Sequence, residues 1–314
     1  MCDWDDYDED KLLELEGLGQ FLLEEKDDGT YNLEFVNAYM KNHDGTYPDF
    51  VIKHVVIPSE YDGKTITSLS AYDFNGEDPG GADEVLSITV PDTVREISNL
   101  FEDFTAIENV TLPDSVERLT GMTFRYCYNL KHVTLSRNIT EMGGHVFEWC
   151  GNLEEITLPE GLKKIGNGCF EYCRSLKEFR IPKSLTEIGN RCFDYTEHLA
   201  RFEVDEENPA FRAIDGDLYS KDGKTLIKYA QGKEQEVFEV PEGVERIAVC
   251  ALNARDSLDG ENEHLRAIVL ASTVETIEEL DIWGEFYEEP RANDAYPDYV
   301  EIGNIHGLPM LMKM

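Results

Sequence analysis

A short motif recurs along this chain at a spacing of 23 residues, and this repeat restricts the fold more than any other feature. In each copy, aliphatic or aromatic side chains hold the same places, so the same buried positions return with every unit. Four copies in the middle of the chain are NVTLPDSVERL (109–119), HVTLSRNITEM (132–142), EITLPEGLKKI (155–165) and EFRIPKSLTEI (178–188). Looser copies lie at 55–69, 87–97, 238–247 and 268–277.

One unit of this length cannot fold alone. Ordering it costs on the order of 35 kcal/mol of conformational entropy, at roughly 1.5 kcal/mol per residue, and one unit has too little apolar surface to offset that cost. Stacked units bury a continuous core between them. The repeat therefore predicts a solenoid of stacked parallel strands, one per repeat, with the strand in the run before each proline. We expect the segment that carries Phe124 and its equivalents to return along the opposite side as a short helix or turn.

Phenylalanine and cysteine keep the same spacing and predict a structural ladder inside the solenoid. Free cysteine behaves as a small, buried hydrophobe, and Thr123 and Thr196 stand in its place in two of the units. The ladder residues are Phe124, Phe147, Phe170, Phe193, Cys127, Cys150, Cys173, Cys169 and Cys192. Two alternatives for the thiols stay open, a zinc site and a disulfide between adjacent coils, although no histidine shares the period and no CxxC pair exists.

The segments around the repeats have a different character. Residues 213–231 read AIDGDLYSKDGKTLIKYAQ, with apolar residues alternating around a Lys-Asp-Gly turn, and this pattern predicts an inserted β-hairpin. The expected organisation is an acidic N-terminal segment at 1–17, a hairpin-like cap at 18–54, the repeat solenoid at 55–282 and an acidic C-terminal tail or cap at 283–314.

The chain is strongly acidic, with a net charge of 28 − 65 = −37. This charge repels phosphate backbones and anionic membrane surfaces, so we expect neither nucleic acid nor such membranes as partners, and no run of apolar residues is long enough to span a membrane. From residue 109 to residue 201 there are 12 basic and 12 acidic residues, so the excess lies in the flanks. The acidic flanks either keep the ends of the solenoid soluble or attract a basic protein partner.

No familiar catalytic pattern occurs. The seven histidines are scattered, and HExxH, GxSxG, P-loop and Rossmann glycine patterns are all absent from the sequence. We therefore predict no enzymatic activity, no cofactor and no metal site.

The outward positions of the predicted strands form the candidate partner-binding surface. Between the inward residues of successive units, polar side chains line up in two columns, and repeat proteins commonly bind partners through such extended surfaces. These residues are Asn109, Thr111, His132, Thr134, Glu155, Thr157, Glu178, Arg180, Arg201 and Glu203. The alternative is that they are ordinary solvated strand residues. A further column, Tyr126, Trp149, Tyr172 and Tyr195, is expected to pack between coils rather than to bind a ligand.

The repeated text resembles a known family. The pattern V-T-L-P-x-S-V-x-x-I, followed by C-F-x-Y-C-x-S-L, is similar to the BspA-like leucine-rich repeats of bacterial and some protist proteins. The opening DGTYNLEFV … VVIPSEYDGKTITSL and the stretch VDEENPAFRAIDGDLYSKDGKTLI agree with it as well. The resemblance implies a leucine-rich repeat solenoid, α/β or mainly β, that binds proteins and is often displayed at the cell surface.

The location of the protein has two interpretations. The first residues lack a basic segment followed by an apolar one, so we expect a cytoplasmic protein if the chain is complete. Three functions follow: an intracellular scaffold or inhibitor for a basic partner, an adhesin-like surface module as the family implies, and, least supported by the residues, a thiol- or metal-dependent enzyme.

Overall fold

A computed structural model gives the structure of the protein and describes residues 13–15, 19–37, 52–71, 82–252, 264–278, 285–292, 295, 299–305 and 308–313. Within these ranges the chain is built from short strands joined by turns, with one short 3₁₀ helix at Ala82–Glu84. No helix in these ranges is long and apolar enough to cross a membrane.

The strands, in chain order, are β1 (Leu13–Leu15), β2 (Gly19–Glu25), β3 (Tyr31–Asn37), β4 (His54–Val56), β5 (Glu60–Tyr61), β6 (Lys64–Ala71), β7 (Ser87–Thr89), β8 (Glu96–Ser98), β9 (Asn109–Thr111), β10 (Arg118–Thr120), β11 (His132–Thr134), β12 (Glu141–Met142), β13 (Lys164–Ile165), β14 (Glu178–Ile181), β15 (Glu187–Ile188), β16 (Arg201–Val204), β17 (Phe211–Ile214), β18 (Asp217–Ser220), β19 (Thr225–Lys228), β20 (Val237–Glu239), β21 (Arg246–Ile247), β22 (Ala267–Val269), β23 (Thr276–Ile277), β24 (Glu285–Ala292), β25 (Tyr299–Ile305) and β26 (Leu308–Lys313).

The repeats stack as the sequence predicts, and the structure adds a second strand to most units. The strands before the proline position, which we call the pre-proline column, are β4, β7, β9, β11, β14, β16, β20 and β22. The strands after it, the post-proline column, are β6, β8, β10, β12, β13, β15, β21 and β23. Where neighbours within a column pair, they do so in parallel, 22 or 23 residues apart through the central repeats. The segment between the two columns that carries the phenylalanines is a run of turns. The parallel-strand solenoid is therefore confirmed, and it is mainly β.

The two columns differ in continuity. The post-proline strands pair without interruption from β6 to β15, whereas the pre-proline strands pair only two by two, and the predicted strand at 155–157 is not formed. Glycines explain the close spacing on the post-proline side, because a Cβ added at Gly166 would lie 2.4 Å from the backbone nitrogen of Gly144. Ile156 stays buried all the same, so the side-chain pattern survives the loss of the ladder.

The inserted hairpin is confirmed and has a third strand. β17 and β18 pair antiparallel across a two-residue turn, Asp215–Gly216. Both residues have positive φ, as a type I′ turn requires. β18 and β19 pair antiparallel in turn, and β19 then pairs in parallel with β21. The last strand of the insertion therefore takes a place in the post-proline column.

Further strands extend the sheets at each end. β1, β2 and β3 pair antiparallel, and β3 joins β6 in parallel, which buries Phe21, Leu33 and Phe35. At the other end β24, β25 and β26 pair antiparallel, and β26 joins β22. Seven of the eight acids in the first 16 residues lie outside the described residues. The division of the chain into domains stays a prediction.

Candidate functional site

The predicted partner-binding residues lie on one surface, which we call the pre-proline face. All ten side chains are exposed, from Asn109 and Thr111 on β9 to Arg201 and Glu203 on β16. They alternate with buried residues such as Val110 and Phe179, because successive strand side chains point to opposite sides. Val56 and Thr89 are exposed register partners in β4 and β7 and extend the same face. The sequence analysis missed these two, although the alternation before Pro58 and Pro91 would have identified them.

The two halves of the pre-proline face differ in their contacts. In the C-terminal half the Arg201 guanidinium lies 2.6 Å from the Glu178 carboxylate and 3.2 Å from that of Glu203. The N-terminal half consists of Asn109, Thr111, His132, Thr134, Glu155 and Thr157. None of these six side chains forms an ion pair with the described part of the chain.

The outward side of the post-proline column carries charges that pair with one another between coils. Arg118 lies 2.6 Å from Glu96, and Lys164 lies 3.3 Å from Glu187. A neighbouring row adds Arg95, whose guanidinium lies 2.8 Å from Glu117. This surface is therefore largely occupied by its own ion pairs.

The ladder phenylalanines form a stack in the core. Ring centroids of successive members lie 5.1, 5.3 and 5.9 Å apart from Phe124 to Phe193, with planes within 10° of parallel. Phe101, which the sequence analysis did not include, begins the stack 4.7 Å from Phe124. These rings are buried.

The ladder cysteines are buried, free thiols. Each thiol of the first column donates to the carbonyl of the phenylalanine one coil earlier: Cys127 to Phe101, Cys150 to Phe124 and Cys173 to Phe147, at 2.9 to 3.1 Å. Thr196 occupies a position of the first cysteine column and Thr123 a position of the second. Each hydroxyl is hydrogen-bonded, because it donates to a backbone carbonyl at 2.7 Å. Burial raises the pKa of the Cys150, Cys173 and Cys192 thiols well above the ordinary value, so these sulfurs stay protonated and are poor nucleophiles.

The aromatic column lies on the turns between the strand columns. Tyr172 stacks on Trp149 at 3.7 Å and on Tyr195 at 4.3 Å, so these rings pack between coils and cover one another's faces. The ring edges remain partly exposed, and the Arg174 guanidinium lies 5.8 Å from the Trp149 and Tyr172 centroids.

The structure shows a charged column that the sequence analysis missed. Its members directly follow the stacked phenylalanines, and we call them the turn-charge column: Glu102, Arg125, Glu148, Glu171 and Asp194. Arg125 lies 3.6 Å from Glu102 and 2.7 Å from Glu148, and the buried Lys228 lies 2.8 Å from Asp194. The 23-residue spacing of these positions was the available signal, but Arg125 carries the opposite charge to the other four members, so the column was not recognised.

Three possible metal ligands meet in this column. His145, Glu148 and Glu171 each offer one atom, and these atoms lie within 4.8 Å of one another. Burial, aided by Asp194 and Glu148, raises the pKa of Glu171 to about 7, although Arg191 opposes the shift. Within the described ranges this is the one such group of three.

Comparisons with known proteins agree with this architecture. Residues 80–212 match the family described as BspA type leucine rich repeat region, in six copies. No curated protein matches the chain.

Three solved bacterial structures share the fold. The pneumococcal vaccine antigen PcpA has a TM-score of 0.62 at 20% identity, over 85% of this chain and 66% of that one. A leucine rich cell surface protein from Faecalibacterium prausnitzii A2-165 has a TM-score of 0.55 at 22% identity, over 86% and 72%. A leucine-rich repeat protein from Eubacterium ventriosum has a TM-score of 0.52 at 18% identity, over 82% and 59%. Similarity at this level of identity shows the fold alone, and the chain spans less than two thirds of the first and third of these structures. The six matched copies make residues 80–212 similar to BspA-type leucine-rich repeats, and the solved structures show that the chain has the leucine-rich repeat fold.

Proposed function

We propose that the protein is a non-catalytic protein-binding module and that its pre-proline face is the binding surface. The main support is the exposure of all ten outward side chains across five successive units. An extended row of exposed strand residues suits a protein partner better than a small molecule, since it offers area rather than a cavity.

The N-terminal half of this face is the preferred contact region. Thr111, Thr134 and Thr157 stand 23 residues apart and are exposed and uncharged, so a partner can approach them without breaking an ion pair. The post-proline side is less suitable, because its charges already pair between coils.

The chemistry of the partner follows from the charge of the chain. The net charge of −37, whose excess lies in the flanks of the neutral stretch 109–201, attracts a basic protein over distances comparable to the Debye length and speeds its association. We propose a partner with a basic surface, and binding should weaken as the salt concentration rises.

The cell surface is the favoured setting. One structural relative is a cell surface protein and another is a vaccine antigen, and both descriptions support an adhesin-like module. The expectation of a cytoplasmic scaffold or inhibitor depends on the first residues alone, and none of the comparisons supports it. Antibody staining of intact cells of the source organism distinguishes the two locations.

A matched pair of triple variants tests the binding surface. The first carries Thr111→Lys, Thr134→Lys and Thr157→Lys on the pre-proline face. The control carries Thr120→Lys, Thr140→Lys and Thr186→Lys along the post-proline side, which adds the same charge. Immobilised wild type and both variants are incubated with extracts of the source organism and of its host cells, and the captured proteins are quantified by mass spectrometry.

The proposal predicts at least one protein that wild type and the control retain and that the pre-proline variant loses. Loss of the same proteins from both variants, or equal retention by all three, contradicts the proposed surface.

A further inference from the structure

In the turn-charge column, Glu148 and Glu171 are like-charged neighbours one coil apart. Its connected set contains four carboxylates and three permanent cations, namely Glu102, Glu148, Glu171 and Asp194 with Arg125, Arg191 and Lys228. Arg125 pairs with Glu148 from one side and Arg191 pairs with Glu171 from the other, and the two carboxylates adjoin between these cations, where Glu148 acts on Glu171 as a neighbouring like charge.

His145 lies at this place. Its Nδ1 atom is 3.1 Å from Oε2 of Glu148, three residues later in the same coil. The ring also leans over the next coil, where Gly168 leaves room for it. A Cβ added at Gly168 would lie 2.6 Å from Nδ1 of His145 and 3.0 Å from Oε2 of Glu171. The imidazole and both carboxylates therefore surround one small space between two coils.

Buried polar atoms in this space lack hydrogen bonds. Oε2 of Glu148 and Nδ1 of His145 are both inaccessible to solvent, and neither has a hydrogen-bond partner of acceptable geometry. Nε of Arg125 is 2.7 Å from the Glu148 oxygen, but it too makes no hydrogen bond of acceptable geometry. Glu148 is only 8% exposed, so this buried oxygen has charged neighbours but no well-aligned hydrogen bond.

We propose that His145, Glu148 and Glu171 bind a divalent transition-metal ion such as Zn²⁺. An imidazole nitrogen with two carboxylate oxygens suits zinc and its neighbours, whereas Ca²⁺ and Mg²⁺ prefer oxygen ligands alone. Ligand atoms of a tetrahedral zinc site lie about 3.3 Å apart, so small side-chain rotations close the site.

The surrounding groups fit this role. Arg191 donates to Oε1 of Glu171 at 2.7 Å and leaves Oε2 to face the space beside Gly168. Hydrogen bonds of this kind orient metal-binding carboxylates. The His145 side chain as a whole is 38% exposed, so the space lies next to solvent although Nδ1 itself is covered. The bound ion links two successive coils, so it should stabilise the solenoid through their interface.

Zinc titration of the full chain tests the site. The apo protein, dialysed against EDTA and then freed of it, is titrated with Zn²⁺ by calorimetry in a buffer with excess Mg²⁺, which occupies weak acidic sites elsewhere on the chain. The variants are His145→Ala and Glu171→Gln, and the matched controls are His132→Ala and Glu187→Gln. Circular dichroism in EDTA first shows that each variant is folded.

The proposal predicts one saturable site in wild type and in both controls, with affinity at least about tenfold weaker in His145→Ala and in Glu171→Gln. It also predicts a rise in the melting temperature of wild type with Zn²⁺ that His145→Ala loses. X-ray absorption at the zinc edge should show nitrogen or oxygen ligands and no sulfur. Absence of a saturable site, binding that survives His145→Ala, or sulfur ligands would each overturn the proposal.

Discussion

The rings of Trp149 and Tyr172, one repeat apart, lie stacked with centroids 3.7 Å apart and planes 7° from parallel. Both residues have left-handed backbone conformations, with φ of 64° and 60°, and such a conformation costs a non-glycine residue roughly 1–2 kcal/mol. Stacking between coils offsets this cost. The phenylalanine rings also stack from coil to coil, and the thiols of Cys127, Cys150 and Cys173 donate to carbonyls of the preceding coil. The stability of the protein therefore lies in contacts between successive coils.

Phe170→Ala should destabilise the protein by about 3–5 kcal/mol, because it removes a buried ring from the centre of the stack. Phe170 contacts Phe147 and Phe193 by stacking and Phe179 by its edge, at 4.9 Å. Urea unfolding measures the change. The control, Tyr128→Ala, removes an aromatic side chain that is 44% exposed and should cost far less. Equal unfolding free energies for the two variants would show that the stack is not core.

Cys250 should react first among the six described cysteines. It is half-buried, and burial raises its pKa to about 11, whereas the other five thiols are buried. A raised pKa lowers the thiolate fraction at pH 8, so alkylation should be slow and should speed up about tenfold per pH unit until pH approaches 11.

Peptide mapping after iodoacetamide treatment of the native protein measures each site separately. Modification of Cys150 or Cys173 before Cys250 would contradict the buried ladder.

Asp194→Asn should cost about 3–5 kcal/mol, because it leaves the ammonium of Lys228 buried without its counter-ion. The Lys228 side chain is 4% exposed and its Nζ lies 2.8 Å from the Asp194 carboxylate. Glu187→Gln is the control: its pair with Lys164 is exposed and should contribute at most about 1 kcal/mol. The double variant Asp194→Leu with Lys228→Met should recover part of the loss. A single variant as stable as the control contradicts a structural role for this pair.

Asn208→Ala should detach the inserted strands from the solenoid. The buried Asn208 donates to the carbonyls of Pro182 and Leu185 and accepts from the amides of Ala210 and Phe211, all at 2.8 to 2.9 Å. Four lost bonds should cost at least about 2 kcal/mol. Asn208→Asp keeps the acceptor but turns a buried carboxylate oxygen toward the carbonyls of Pro182 and Leu185, so it should cost at least as much as Asn208→Ala. Hydrogen exchange should show faster opening of 211–228 in the alanine variant, and unchanged exchange there would refute the anchoring role.

Much of the fold could be predicted from the sequence, because its dominant contacts join equivalent positions of a regular repeat. The inward positions of Leu119, Met142 and Ile165 were predicted, but the strands that contain them were not. Each of these strands is two or three residues long and has one buried position, which is too few to show alternation. The strand predicted at 155–157 is not formed, although the alternation before Pro159 is the same as in the neighbouring units, so this pattern alone does not determine whether the backbone pairs.

The two candidate sites also differ in whether the sequence alone predicts them. The pre-proline face follows from alternation along each strand, so its ten positions could be identified before the fold was known. The metal group could not, because it combines His145 and Glu148 of one coil with Glu171 of the next. Only Gly168, by omitting a side chain, allows the imidazole to reach across.

Binding of a protein partner by the pre-proline face can be tested by site-specific photo-crosslinking in the source organism or on its host cells. A photo-reactive phenylalanine analogue is placed singly at Thr134 on the pre-proline face and at Thr140 along the post-proline side. We expect a specific cross-linked protein from position 134, weakened by high salt and absent from position 140. Cross-links from position 140 alone, or from neither position, would contradict it.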